Sequence, residues 1–101
     1  MYLIQFLLPL HDAARHPFPR EMHDRVRREM IEFFGGVTAF LRGPAEGFWE
    51  QDGAVNRDDV VIFEVMTDRL DRSWWEKYKK ELEKLFNQEE IVVRATVFEK
   101  L

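Results

Sequence analysis

Two histidines and an aspartate stand close together in the first irregular segment of the sequence. His11 and His16 are five positions apart, and Asp12 directly follows the first of them. An imidazole beside a carboxylate can act as a general acid or base, so His11 and His16 are candidate catalytic residues. Their spacing does not align two metal ligands on a helix, and no metal site is predicted. The structural alternative, which is favoured, is that Asp12 caps a turn.

A third candidate, Glu64, lies inside an apolar run of the sequence. Ile62 and Met66 flank it at alternate positions, where a carboxylate is costly unless a cation or hydrogen bonds compensate it. Arg94 is the expected cation, and a structural ion pair is the favoured interpretation. The functional alternative makes Glu64 a catalytic acid or base in a cavity between two sheets.

Four strands are expected to position these residues. Apolar residues on both faces predict central strands over Tyr2–Leu8 and Asp58–Met66. More mixed patterns predict outer strands over Val37–Arg42 and Ile91–Phe98. Residues 43–57 contain three glycines and a proline and are predicted to form a long hairpin loop.

Two amphipathic helices complete the pattern. The first is predicted over Arg20–Phe34 and ends at the glycine pair that follows it. The second is predicted to begin at Ser73, which can form a capping box with Glu76. Its apolar face is expected to comprise Trp74, Tyr78, Leu82 and Leu85.

The order β-α-β-β-α-β with two right-handed crossovers predicts an α+β fold of the ferredoxin-like kind. Its four-stranded antiparallel sheet has the order 4-1-3-2, and both helices cover one face. The chain of 101 residues is expected to be one domain, because two domains of half that length would be too small to hold separate cores.

This topology brings residues 9–19, 43–57 and 87–90 to one end of the sheet. Loops held on a rigid sheet are where binding groups tend to gather, and an aromatic such as Trp49 can wall a pocket. The predicted ligand-binding residues, at this end and beside Glu64, are Trp49, Asp12, Glu46, Arg57, Gln88, Glu89 and Arg94.

The sheet face opposite the helices is unusually apolar for a monomer. By alternation it carries Leu3, Gln5, Leu7, Phe40, Ile62, Met66, Val92 and Phe98. A patch of this extent usually marks an interface or a ligand cavity, and a homodimer through the sheets is therefore predicted. The alternative is that the C-terminal residues or the hairpin loop cover this face.

Composition excludes several functional classes. The formal net charge is −4 and the chain has no basic block, so nucleic-acid binding is not expected. The absence of cysteine removes disulfides and thiol nucleophiles. No nucleotide fingerprint or Ser-His-Asp arrangement is present, and no cofactor is predicted. The apolar start, Met1–Leu10, is too short to span a membrane. Without cysteines the sequence does not report on the redox compartment, and a cytoplasmic location is the default expectation.

Four short motifs resemble those of a family of small uncharacterised bacterial proteins, over the C-terminal two thirds of the chain. They are Gly36-Val37-Thr38, Gly47-x-Trp49, Gly53-x-Val55-x-Arg57 and Phe86-x-Gln88-Glu89-x-Ile91. This resemblance implies the same fold but no activity or catalytic residues. The architecture also resembles the dimeric α+β barrels, a group that includes cofactor-free monooxygenases and isomerases; a shared fold does not fix function.

Three functional hypotheses follow from the sequence. The first is a small-molecule-binding or accessory protein that acts as a sheet-to-sheet homodimer. The second is a cofactor-free enzyme with Glu64 and Arg94 in an intersheet cavity and His11 or His16 at its mouth. The third is a structural dimer that acts through protein partners.

Overall fold

Seven elements make up the fold in a computed structural model, which describes residues 1–40, 45–51 and 54–101, with side chains for 1–40 and 60–101. The elements are strands β1 (Tyr2–Pro9), β2 (Thr38–Ala39), β3 (Ala45–Gln51), β4 (Ala54–Thr67) and β5 (Val93–Val97), and helices α1 (Arg20–Phe34) and α2 (Arg72–Leu85).

The sheet is antiparallel, with β1 and β4 at its centre. Its order is β2-β4-β1-β5, and β3 pairs with the first half of β4. For the four strands expected from the sequence this is the order 4-1-3-2, so the predicted fold class and topology are confirmed. The central strands are buried on the helix side, as their apolar composition indicated.

The predicted hairpin loop over residues 43–57 is wrong for most of its length. Ala45 pairs with Val60 and Gln51 pairs with Ala54, so β3 and the start of β4 form a two-stranded ribbon. Glycine and charged residues are poor strand formers, which hid the ribbon from the sequence pattern. Antiparallel pairing nevertheless satisfies the backbone N–H and C=O groups whatever the side-chain period.

Helix α1 has the predicted bounds, and a left-handed glycine ends it. Gly35 has a φ of 80°, a conformation that glycine adopts without the penalty of a β-carbon. Its N–H donates to the carbonyl of Ile31 at 2.8 Å, which satisfies one of the last carbonyls of the helix.

Helix α2 begins earlier than its predicted capping box. Asp71 is the N-cap, and its carboxylate accepts a hydrogen bond from the backbone N–H of Trp74 at 3.1 Å. Ser73 therefore lies inside the first turn, and the Ser73–Glu76 capping box is wrong. An aspartate at the cap position satisfies the same unpaired N–H groups.

The core fills the space between the two helices and one face of the sheet. Phe6 of β1 stacks on Phe63 of β4 with ring centroids 5.4 Å apart, and Trp75 of α2 packs against Phe6 at 5.8 Å. Helix α2 buries Trp75, Tyr78 and Leu82, whereas Trp74 is only partly buried. Neither described helix is long and apolar enough to cross a membrane.

Candidate functional site

A cleft opens at the end of the sheet where β1 gives way to the first long connection. Its volume is about 870 Å³, which lies within the range of small-molecule sites. The lining residues come from this connection, from the start of α1 and from the end of β2: Leu10, His11, Pro17, Phe18, Arg20, His23, Asp24, Arg27, Ala39 and Phe40.

A tight turn presents His11 to the cleft. Asp12 Oδ1 accepts hydrogen bonds from the backbone N–H groups of Ala14 at 2.9 Å and His16 at 2.8 Å. The hydrogen bond from the His16 backbone is the main cause that holds the pKa of Asp12 below its ordinary value. Asp12 thus organises the turn, which is the structural alternative considered for it, and neither Asp12 nor His16 lines the cleft.

His23, which the sequence analysis did not select, forms part of the cleft wall. Its Nε2 lies 3.0 Å from the carbonyl oxygen of Pro9, so the proton of the neutral ring belongs on Nε2. Burial is the main cause that lowers the pKa of His23, and its ring lies 5.2 Å from that of Phe86. Its position three residues before Val26, on the apolar stripe of α1, was the available signal.

The charged part of the cleft comes from the first turns of α1. Arg27 Nη2 donates to Asp24 Oδ1 at 2.8 Å, and Arg20 Nε lies 4.0 Å from Asp24 Oδ2. Two guanidinium groups therefore share one carboxylate. Two positive groups against one negative group leave this wall with an excess of positive charge. Because each guanidinium has five N–H donors, the wall also has an excess of hydrogen-bond donors.

A second group of polar side chains crosses the open face of the sheet. Gln5 Nε2 donates to Glu64 Oε1 at 2.6 Å, and Arg94 Nε donates to Gln5 Oε1 at 3.0 Å. The predicted direct ion pair between Glu64 and Arg94 is wrong, because β1 lies between their strands and neighbouring strands are ~4.8 Å apart. The Gln5 amide joins the two charges instead.

Gln5, Glu64 and Arg94 form a polar row across the open face, and apolar residues flank this row on both sides. Leu3 lies opposite Met66 on one side of it, and Leu7 lies opposite Ile62 on the other. Met66, Val92 and Phe40 remain 50%, 47% and 46% exposed. The C-terminal residues therefore leave these positions uncovered, contrary to the alternative in which they fold over the face.

The remaining predicted site residues do not gather at the cleft. Gln88 donates through Nε2 to the carbonyl of Phe86 at 2.9 Å, and neither Gln88 nor Glu89 lines the cleft. The connection that carries them meets the first one through the rings of Phe18 and Phe86, 5.2 Å apart. The side chains of three further candidates lie outside the described residues: Glu46, Trp49 and Arg57.

Metal ligation has no support in the side chains that the structure describes. Within residues 1–40 and 60–101, no three His, Asp or Glu side chains are grouped closely enough to hold a metal ion.

Comparison with known proteins identifies the fold and no sequence family. No family model and no curated protein matches this chain, so the bacterial family suggested by the short motifs is not identified. Among solved structures, the divalent cation tolerance protein CutA1 from Thermus thermophilus is similar, with a TM-score of 0.65 and 14% identity over 99% of this chain and 86% of that one.

Two further solved structures have the same fold. The periplasmic divalent cation tolerance protein CutA from Archaeoglobus fulgidus matches with a TM-score of 0.64 and 16% identity, over 99% of this chain and 86% of that one. A phage SAM lyase in complex with S-methyl-5'-thioadenosine matches with a TM-score of 0.62 and 14% identity, over 94% of this chain and 79% of that one. At these identities the similarity shows the fold alone.

Proposed function

We propose that this protein binds a small anionic molecule in the cleft beside α1. The observation that carries the proposal is the composition of the cleft wall, which Arg20 and Arg27 line together with the aromatic residue Phe18. Arginine recognises carboxylates and phosphates through its fork of donors, and an aromatic wall favours a ligand with a flat apolar part. The expected ligand therefore combines one anionic group with one ring.

Charge favours an anion over a metal ion in this cleft. Among the described residues of the lining, Asp24 is the one carboxylate, and Arg27 already donates to it. Apart from the histidines, these residues carry two positive charges and one negative charge. A divalent cation, which the names of the CutA proteins mention, would meet unfavourable charge here.

One solved structure of the same fold supports ligand binding over a purely structural role. The phage SAM lyase is in complex with a small molecule that contains a purine ring. The fold can therefore hold a compound of the size and flatness proposed. The choice of an anionic ligand rests on Arg20 and Arg27 of this chain alone.

Binding can be tested by isothermal titration calorimetry with anionic probes and their neutral counterparts. Benzoate is compared with benzamide, and adenosine monophosphate with adenosine. We expect an anion to bind more tightly than its neutral partner, and Arg27→Gln to weaken that binding about 10- to 100-fold, the value of one or two hydrogen bonds to a charged group.

Arg25→Gln is the matched control for this experiment. Arg25 lies on the same helix, is exposed and pairs with Glu29 at 3.6 Å, and it does not line the cleft. Its substitution is expected to leave the affinity unchanged. Equal binding of the anionic and neutral probes, or an unaltered affinity of Arg27→Gln, would contradict the proposal.

We also infer that the open sheet face is a surface for self-association, as a homodimer. The half-exposed side chains of Phe40, Met66 and Val92 support this inference, because large apolar groups on one face gain from leaving water together. Light scattering coupled to size exclusion measures the mass directly. A chain that is still monomeric at a protein concentration of about 100 μM would refute this inference.

A further inference from the structure

We propose that copies of this chain associate about a rotation axis parallel to the strands, which places Glu64 of one copy against Arg94 of the next. This inference rests on the proposed self-association through the open face. It specifies how the copies are oriented relative to one another. It also assigns a role to the polar row, which consists of Glu64, Gln5 and Arg94.

The polar row has a defined order of charges across the sheet. The strand register places Thr38 opposite Glu64, Glu64 opposite Gln5, and Gln5 opposite Arg94. A negative side chain therefore lies on one side of the central strand and a positive one on the other. The row has a direction, and a second copy can meet it in the same sense or reversed.

An axis parallel to the strands reverses the row. Glu64 then meets Arg94 of the second copy, Arg94 meets Glu64, and the central Gln5 side chains face one another.

An axis that runs along the row, across the strands, keeps its order. Glu64 then meets Glu64 and Arg94 meets Arg94. Like charges placed together in an interface weaken association, so this arrangement is less stable than the one about an axis parallel to the strands. The apolar rows do not distinguish the two axes, since Leu3 and Leu7 face apolar partners in both; the charges decide.

Gln5 prepares both charges for a second copy. Its amide uses Glu64 Oε1 and Arg94 Nε, and among the described side chains nothing else bonds the second carboxylate oxygen or the terminal guanidinium nitrogens, which can bond across the interface. Holding both side chains against the sheet reduces the entropy that each would lose on association.

Charge reversal tests the arrangement. Glu64→Arg and Arg94→Glu are compared singly and together by sedimentation equilibrium, which gives the mass and the dissociation constant. Each single reversal places like charges together and is expected to weaken association ~100-fold, which corresponds to about 2.7 kcal/mol. The double reversal restores opposite charges and is expected to return to within about 10-fold of the wild type.

The matched control is Glu76→Arg, the same charge change at an exposed position of α2. It is expected to leave association unchanged, and circular dichroism checks that every variant is folded. A monomeric wild type would refute the self-association itself. An associated wild type whose single reversals bind equally well, or a double reversal without recovery, would overturn the axis proposed here and leave the self-association standing.

Discussion

Replacing Gln5 with leucine tests whether the amide holds the two charges of the open face. The substitution keeps the size of the side chain but removes one hydrogen bond to Glu64 and one to Arg94. A hydrogen bond to a charged group contributes about 1.5–3 kcal/mol when buried. Arg94 is exposed and Glu64 is half-buried, so solvent screening reduces both contributions.

We expect Gln5→Leu to lower the free energy of unfolding by about 1–2 kcal/mol after screening and the small gain from an added apolar group. Urea unfolding at low protein concentration measures this change without a contribution from self-association. With an m-value of about 1–2 kcal/mol/M, the midpoint is expected to fall by about 0.5–2 M.

The matched control for this substitution is Thr96→Leu. Thr96 is an exposed polar residue of β5 on the same face, and an apolar replacement there is expected to change stability by less than about 0.5 kcal/mol. If Gln5→Leu were as stable as the wild type, or more stable, the amide would not be holding the charges and the role given to it would be refuted.

Three further predictions concern the helices. Asp71→Ala removes the cap of α2 and is expected to lower the free energy of unfolding by about 1 kcal/mol, seen as a melting temperature about 4–8 °C lower. Ser73→Ala is expected to leave the melting temperature nearly unchanged. If Ser73→Ala lowered the melting temperature more than Asp71→Ala, Ser73 would be the cap after all. The Tyr78 hydroxyl is buried and has no hydrogen-bond partner among the described residues. Its burial is the main cause that raises the pKa of Tyr78, and the nearby charges of Glu29 and Glu81 add to this. Tyr78→Phe is therefore expected to be neutral or stabilising and Tyr78→Ala to cost about 3–5 kcal/mol, and a large loss in the phenylalanine variant by urea unfolding would reveal a missed partner. The pKa of His23 is lower in the folded chain than in the unfolded chain, so the unfolded chain binds more protons as the pH falls. The contribution of neutral His23 to the free energy of unfolding is therefore complete above pH ~6.5 and is lost as the pH falls through the folded pKa. Melting curves are expected to show this loss in the wild type and a smaller one in His23→Gln, and equal slopes would contradict it.

The sequence predicts those elements whose signals are local. The bounds of α1 follow from an apolar stripe closed by Gly35 and Gly36, because both the period and the end of the helix are written in consecutive residues. The start of α2 was misplaced, since Asp71 and Ser73 are both good caps and only the fold chooses between them. The β3–β4 ribbon was missed because backbone pairing carries it, without an apolar alternation.

The site was less accessible to sequence reasoning than the fold. Gln5, Glu64 and Arg94 are correctly predicted on one face, but the position of Gln5 between the two charges is not predicted, because it depends on the register of three strands. Likewise, the contribution of His23 to the cleft depends on how α1 packs against the end of β1. Such long-range geometry has no period or motif in the chain.

The pairing of β1 has a consequence for how this chain is made. In chain order β1 comes before both of the strands that pair with it, β4 on one side and β5 on the other, so Tyr2 waits for Val97 before its outer edge is closed. At ~5–20 residues per second this wait lasts roughly 5–20 s, during which an apolar strand is without its final neighbours. Chaperone dependence during synthesis, and poor recovery of any version cut before β5, are expected when a strand at the centre of the sheet is made before both of its neighbours.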